Sequence, residues 1–114
     1  MMSAPPTAAH TGELVFEQTG GYRVGRNAWL AFNASWPFGT LLIKRGELVL
    51  QCIASCYHFP NASVTRLSRF QGAFSSGLRI EHSIATYPRF IVFWSRAMPE
   101  LQSRLTEAGF RVAA

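Results

Sequence analysis

Arg89-Phe90-Ile91-Val92-Phe93-Trp94-Ser95, followed by Met98-Pro99-Glu100-Leu101 and closed by Leu105-Thr106-Glu107-Ala108-Gly109-Phe110, is the stretch that decides the fold. Its hydrophobic period changes part-way. Residues 89–94 are aromatic or β-branched on both faces, the pattern of a central strand covered on each side. From Met98 onward the apolar positions are Met98, Leu101, Leu105 and Ala108, spaced three to four apart as one face of a helix requires. Pro99 suits the first helical turn, where its missing N–H is no loss. Glu100 and Arg104 are set for an i, i+4 pair on the outer face. Gly109 is placed to take the left-handed position after the helix, with Phe110 packing back on Leu105. A helix that follows a run of strands must cover an apolar opening or face of their sheet, and the buried strand 89–94 is its natural neighbour.

Upstream of that point every signal is extended. Residues 13–18 stop at Gly20-Gly21, and residues 22–24 form a short extended piece. Residues 29–34 alternate, with Leu30, Phe32 and Ala34 on one face. The segment 35–39 breaks the pattern, because Pro37 cannot donate to a ladder. Residues 40–44 and 47–53 flank Arg45-Gly46, a two-residue hairpin link whose glycine is free to take a positive φ. Residues 57–59 and 63–70 read as one bent strand interrupted at Pro60-Asn61. Residues 71–77 make a Gly/Ser loop containing Phe74, and Leu78, Ile80 and His82 then alternate with Arg79 and Glu81. The sum is a mainly β barrel or sandwich of about seven antiparallel strands with one C-terminal α-helix. It forms a single domain over residues 13–114 behind a loose tail, 1–12.

Composition sets the outer limits. The 114 residues are 48% hydrophobic and 15% charged, enough for one core and too apolar for intrinsic disorder. No apolar run approaches the roughly 18 residues of a membrane-spanning helix. The net charge of +5 comes from ten Arg and one Lys against six Glu, with no Asp. Such a balance is compatible with nucleic acid or anionic lipid as a partner, although the basic residues are spread from Arg23 to Arg111 without a cluster. The N-terminal residues lack both the basic start and the apolar stretch of a secretory signal, so the expected address is cytoplasmic, with Cys52 and Cys56 reduced.

The order of elements resembles the pleckstrin-homology-like (PH-like) superfold, which includes the GRAM-type domains. The wording resembles a bacterial branch of unassigned function in four stretches: Ser35-Trp36-Pro37-Phe38-Gly39-Thr40-Leu41, Gly77-Leu78-Arg79-Ile80-Glu81-His82, Phe90-Ile91-Val92-Phe93-Trp94-Ser95 and Leu105-Thr106-Glu107-Ala108-Gly109-Phe110. The resemblance implies a structural type and no reaction. Phosphoinositide-binding members carry clustered basic residues in the first hairpin, whereas residues 20–27 here offer only Arg23 and Arg26. The Trp common in the superfold's C-terminal helix is absent, and Leu101 and Leu105 take its place. Fold membership alone does not transfer lipid binding.

Chemical constellations are few. Cys52, Cys56 and His58, with His82 as a fourth group, are three or four metal-type ligands without the spacing of a zinc knuckle, and Cys52 falls on the strand face of Leu48 and Leu50. Glu81 and His82 point to opposite faces of a strand, so His82 reads as a hydrogen-bonded histidine at the edge of the core. No nucleophile elbow, phosphate loop or aspartate is present, and the expectation is no enzyme, no cofactor and no metal. Arg66, Arg69, Phe70 and Phe74 suit a lipid surface or base stacking, or else Phe70 and Phe74 fold back on the barrel while both Arg are solvated. Trp36 and Phe38 form either a corner plug or an apolar knob for a partner chain. With Arg23 and Arg26, these residues make up the candidate ligand or partner surface. The expected function is a binding or scaffolding module acting on a protein partner or on itself, by β-augmentation among other routes. Anionic membrane lipid is the alternative and nucleic acid a weaker one.

Overall fold

Alternation of apolar and polar residues draws most of the chain into one curled sheet, a half-barrel whose concave side is closed by the single helix. The computed structural model describes residues 12–27 and 29–113, so the expected tail lies, but for Gly12, outside the described residues. The strands are β1 (Leu14–Gly25), β2 (Ala31–Lys44), β3 (Glu47–Gln51), β4 (Cys56–Pro60), β5 (Val64–Gln71), β6 (Ser76–His82) and β7 (Phe90–Ser95). Helix α1 (Met98–Glu107) and a two-residue strand β8 (Val112–Ala113) follow. Their order across the sheet is β4-β3-β2-β1-β7-β6-β5-β8.

The core is a set of i, i+2 pairs from successive strands. Leu41 and Ile43, Leu48 and Leu50, Leu78 and Ile80, and Ile91 and Phe93 turn one way and meet Phe59 and Leu67. Met98, Leu101, Leu105 and Ala108 join them from the helix, the stripe expected from their spacing. The helix ends as a Schellman motif. Gly109, at φ 95°, donates to the Thr106 carbonyl, and Phe110 donates to the Leu105 carbonyl. The Arg45-Gly46 hairpin also forms, with Gly46 at φ 80° and β2 and β3 in register from Lys44/Glu47 to Thr40/Gln51.

Several expectations are corrected. Among the described residues there are eight strands rather than seven, and the eighth runs parallel to β5. The two extended pieces expected within 13–24 are one strand, because Gly20-Gly21 carries the chain through the sheet instead of turning it. Pro37 does not divide β2. Between the Gly20/Gly39 and Tyr22/Ala34 pairs the second strand carries extra residues, and this bulge holds Pro37 clear of the ladder. The pieces expected as one bent strand are β4 and β5, separated by a 3-10 turn at Asn61–Ser63 and placed toward opposite edges of the sheet. The strand expected to reach Ile53 stops at Gln51, where a tight turn closes with Cys52 N–H donating to the Ser55 carbonyl at 2.8 Å. The helix runs closest to β1, β6 and β8, and its apolar face shares one core with Ile91 and Phe93 of β7. Arg104 bonds Glu107 at 3.2 Å rather than Glu100, with its guanidinium over the Phe16 ring at 5.1 Å.

Gly20 and Gly109 are required for different reasons. A methyl on Gly20 would collide with the Trp94 carbonyl and the Phe93 ring, whereas one on Gly109 meets nothing and suffers only from the positive φ. Urea unfolding is expected to show Gly20→Ala losing about 3 kcal/mol or more. Gly109→Ala is expected to lose about 1–2 kcal/mol.

Candidate functional site

The candidate site lies on the outer, convex face of the sheet, around β7. Every residue of β7 from Phe90 to Phe93 is buried, although only Ile91 and Phe93 belong to the main core. The other face of the strand is roofed separately. Phe70 stands edge-on to Phe90 at 5.4 Å and tilts against Trp94 at 5.9 Å, and the Arg79 guanidinium lies over the Phe90 ring at 5.2 Å. Arg23, on β1, pairs in register with Val92. Trp94 is fixed in turn by its indole N–H, which donates to Asn33 Oδ1 at 2.8 Å. Ser95 is buried, donates its hydroxyl to Gln18 and accepts the Ala97 N–H at 3.1 Å.

This second layer leaves a hollow of about 470 Å³. Its aromatic lining is Trp36, Phe70, Phe74 and Trp94, and its basic residues are Arg23 and Arg96. The Arg96 guanidinium lies 5.1 Å from the centre of the Trp36 ring. A neighbouring hollow of about 460 Å³ shares Phe74, Ser75, Ser95 and Arg96 and adds Arg69. Among the described residues no carboxylate lines either one.

The structure thus brings Arg23, Trp36, Phe70 and Phe74 together and sets Arg69 beside them. It does not bring in Arg26, exposed at the far end of β1, or Arg66, which lines a separate hollow with Arg111. Of the two phenylalanines expected to act alike, Phe70 folds back onto the sheet and Phe74 is wholly exposed. Trp36 and Phe38 plug no corner. They are 52% and 54% exposed on the β2 bulge, which leaves the knob reading. Sequence reasoning missed Arg96 and Trp94. The signal available was parity, since Phe90, Val92, Trp94 and Arg96 alternate with the core-facing Ile91 and Phe93.

A second apolar surface lies at the end of the β1–β2 hairpin. Trp29 (91% exposed) and Leu30 sit in the connection, held by Asn27 Oδ1, which accepts both their backbone N–H groups. Phe32 lies 6.1 Å from Tyr22, and the Tyr22 hydroxyl accepts the Ile53 N–H at 3.3 Å, so exposed Phe32 and Ile53 flank one buried ring.

His58, His82 and the two cysteines are elsewhere. His82 bonds at both nitrogens, Nε2 to the Pro88 carbonyl at 2.7 Å and Nδ1 accepting the Ile84 N–H at 3.0 Å. Only the Nε2-protonated tautomer serves both partners, and the ring packs on Phe59 and Tyr87. His58 lies between Cys56 (Sγ to Nε2, 3.6 Å) and Glu47 (Nδ1 to Oε2, 3.4 Å) on the exposed β4 edge, a line the sequence reading did not assemble. It borders none of the hollows described here. Among the described residues no three His, Cys or acidic groups converge as a metal site, and no helix is long and apolar enough to cross a membrane. Cys52 packs against the core, and burial pushes its thiol up to about 11. No family model matches the chain, and neither does any curated protein or solved structure.

At pH 8 a thiol with that value is ionised to about one part in a thousand. Alkylation followed by peptide mass mapping is therefore expected to label exposed Cys56 in the folded protein long before Cys52. Urea should bring the two rates together.

Proposed function

We propose that the chain is a non-catalytic PH-like binding module whose working surface is the apolar end of the β1–β2 hairpin, and that this surface takes a partner protein, a second copy of the chain included. The PH-like reading is supported by the arrangement of parts. A meander of β1 to β4 and a meander of β5 to β7 share one core, with a single helix after the seventh strand filling it. The binding reading is carried by one observation: Trp29, Leu30 and Phe32 at the hairpin end are all more than half exposed, and so are Trp36 and Phe38 on the bulge further along β2. No charged side chain occurs between Asn27 and Gly39. Scattered exposed apolar residues are ordinary, but a contiguous group of large ones marks an interaction surface. An uncharged aromatic surface is complementary to another of its own kind, which favours self-association. His82 lends a catalytic role no support, since both its nitrogens are engaged structurally.

One observation favours anionic membrane as a second reading. Arg26 is exposed beside Trp29, and an aromatic tip next to a cation suits the headgroup boundary. Light scattering over a range of concentrations, on the wild type and on Trp29→Ser/Phe32→Ser, separates the two. The expected result is a discrete assembly heavier than the 12.7 kDa monomer, persistent in high salt and lost in the variant. A chain that stays monomeric, sediments with anionic but not neutral vesicles and is released by salt would replace this reading with the membrane one.

A further inference from the structure

We infer that the groove on the outer face of β7 is a binding site for a small organic anion built on a flat ring, a ring-bearing phosphate or carboxylate. The inference does not rest on the proposed hairpin surface, although Trp36 borders both. Three features of the groove select that chemistry. Its volume of about 470 Å³ falls within the roughly 300–1,000 Å³ of small-ligand pockets. Its walls are rings: Phe70 and Trp94 are anchored against the sheet, while Trp36 is half exposed and Phe74 wholly so, presenting surface to an incoming flat group. Its charge is of one sign. Arg23 and Arg96 line it, Arg69 stands in the adjoining hollow, and no acid among the described residues lines either.

The guanidinium of Arg96 is the most telling element. It lies over Trp36 at 5.1 Å and belongs to both hollows, so it is held where a ring resting in the first would present its anionic group to the second. A planar fork of N–H donors suits carboxylate and phosphate alike. A neutral ring would forgo the Arg contacts, and inorganic phosphate would forgo the aromatic walls. Both halves of the ligand are therefore needed.

The test uses tryptophan fluorescence. In the Trp29→Ser/Phe32→Ser background the remaining indoles, Trp36 and Trp94, both line the groove, and the indole at the hairpin tip no longer contributes to the signal. Adenosine monophosphate and naphthoate are titrated as ring-bearing phosphate and ring-bearing carboxylate, with adenosine and inorganic phosphate as the half-ligands of the first and naphthamide and acetate as those of the second. Saturable quenching by at least one ring-bearing anion is expected, with its two controls at least about tenfold weaker, a loss of about 1.4 kcal/mol. Which anion binds identifies the class of head group. Phe74→Ser, at a fully exposed position, and Arg96→Gln should each weaken that binding by a similar factor. The inference is overturned if neither anion saturates, if adenosine binds as well as its monophosphate, or if both variants bind as the parent does.

Discussion

The antiparallel ladder between β1 and β7 is the interaction on which the rest of the structure depends. Gly21 to Gly25 pair with Trp94 to Phe90, joining segments some seventy residues apart and welding the two meanders into one sheet. β1 is long enough to serve both sides, because its whole length pairs with β2 while only its second half reaches β7. The backbones approach so closely at Gly20 that a side chain there has no room. Without this ladder the helix would face two separate hairpin stacks rather than one concavity. Such distant pairing bears its loop-closure cost before any contact compensates it, so the ladder should form late in folding.

The same strand explains why the sheet has an outer groove at all. A strand with one face in the core normally shows polar residues on the other, but β7 is apolar on both. Its second face needs a cover, and among the described residues no helix lies there. Phe70, Arg79 and the neighbouring strands provide it with side chains alone. A roof made of side chains is incomplete, and the gap beside Trp94 is the groove. The site is thus a by-product of how a doubly apolar strand is covered, with arginines at its margin because β1 and the end of β7 supply them.

The groove and the hairpin end differ in chemistry. The first combines rings with cations and excludes acids. The second carries large apolar side chains, with no charged residue between Asn27 and Gly39 and Arg26 at its border. Trp36 stands between them, placed there by the β2 bulge that also keeps Pro37 out of the ladder. A bulge of this kind also interrupts the free edge of β2, which leaves β-augmentation there only a short regular stretch, while the edge strand β4 is five residues long.

The sequence by itself determined the local features. The 3.6-residue spacing from Met98, the Gly109 stop, the Arg45-Gly46 turn and the double apolar face of residues 89–94 are each set by neighbours within a turn or a strand, and each is where its pattern puts it. Tertiary structure decided the rest. Whether Gly20-Gly21 turns the chain or threads it depended on β7 arriving alongside. Whether Tyr57 and Leu67 share a strand depended on two distant edges of the sheet. Exposure of Trp36 and Phe74 beside buried Phe70 depended on which faces the curled sheet left uncovered. Periodicity reports that a residue has an apolar side. Only the assembled sheet determines whether another surface is present to meet it.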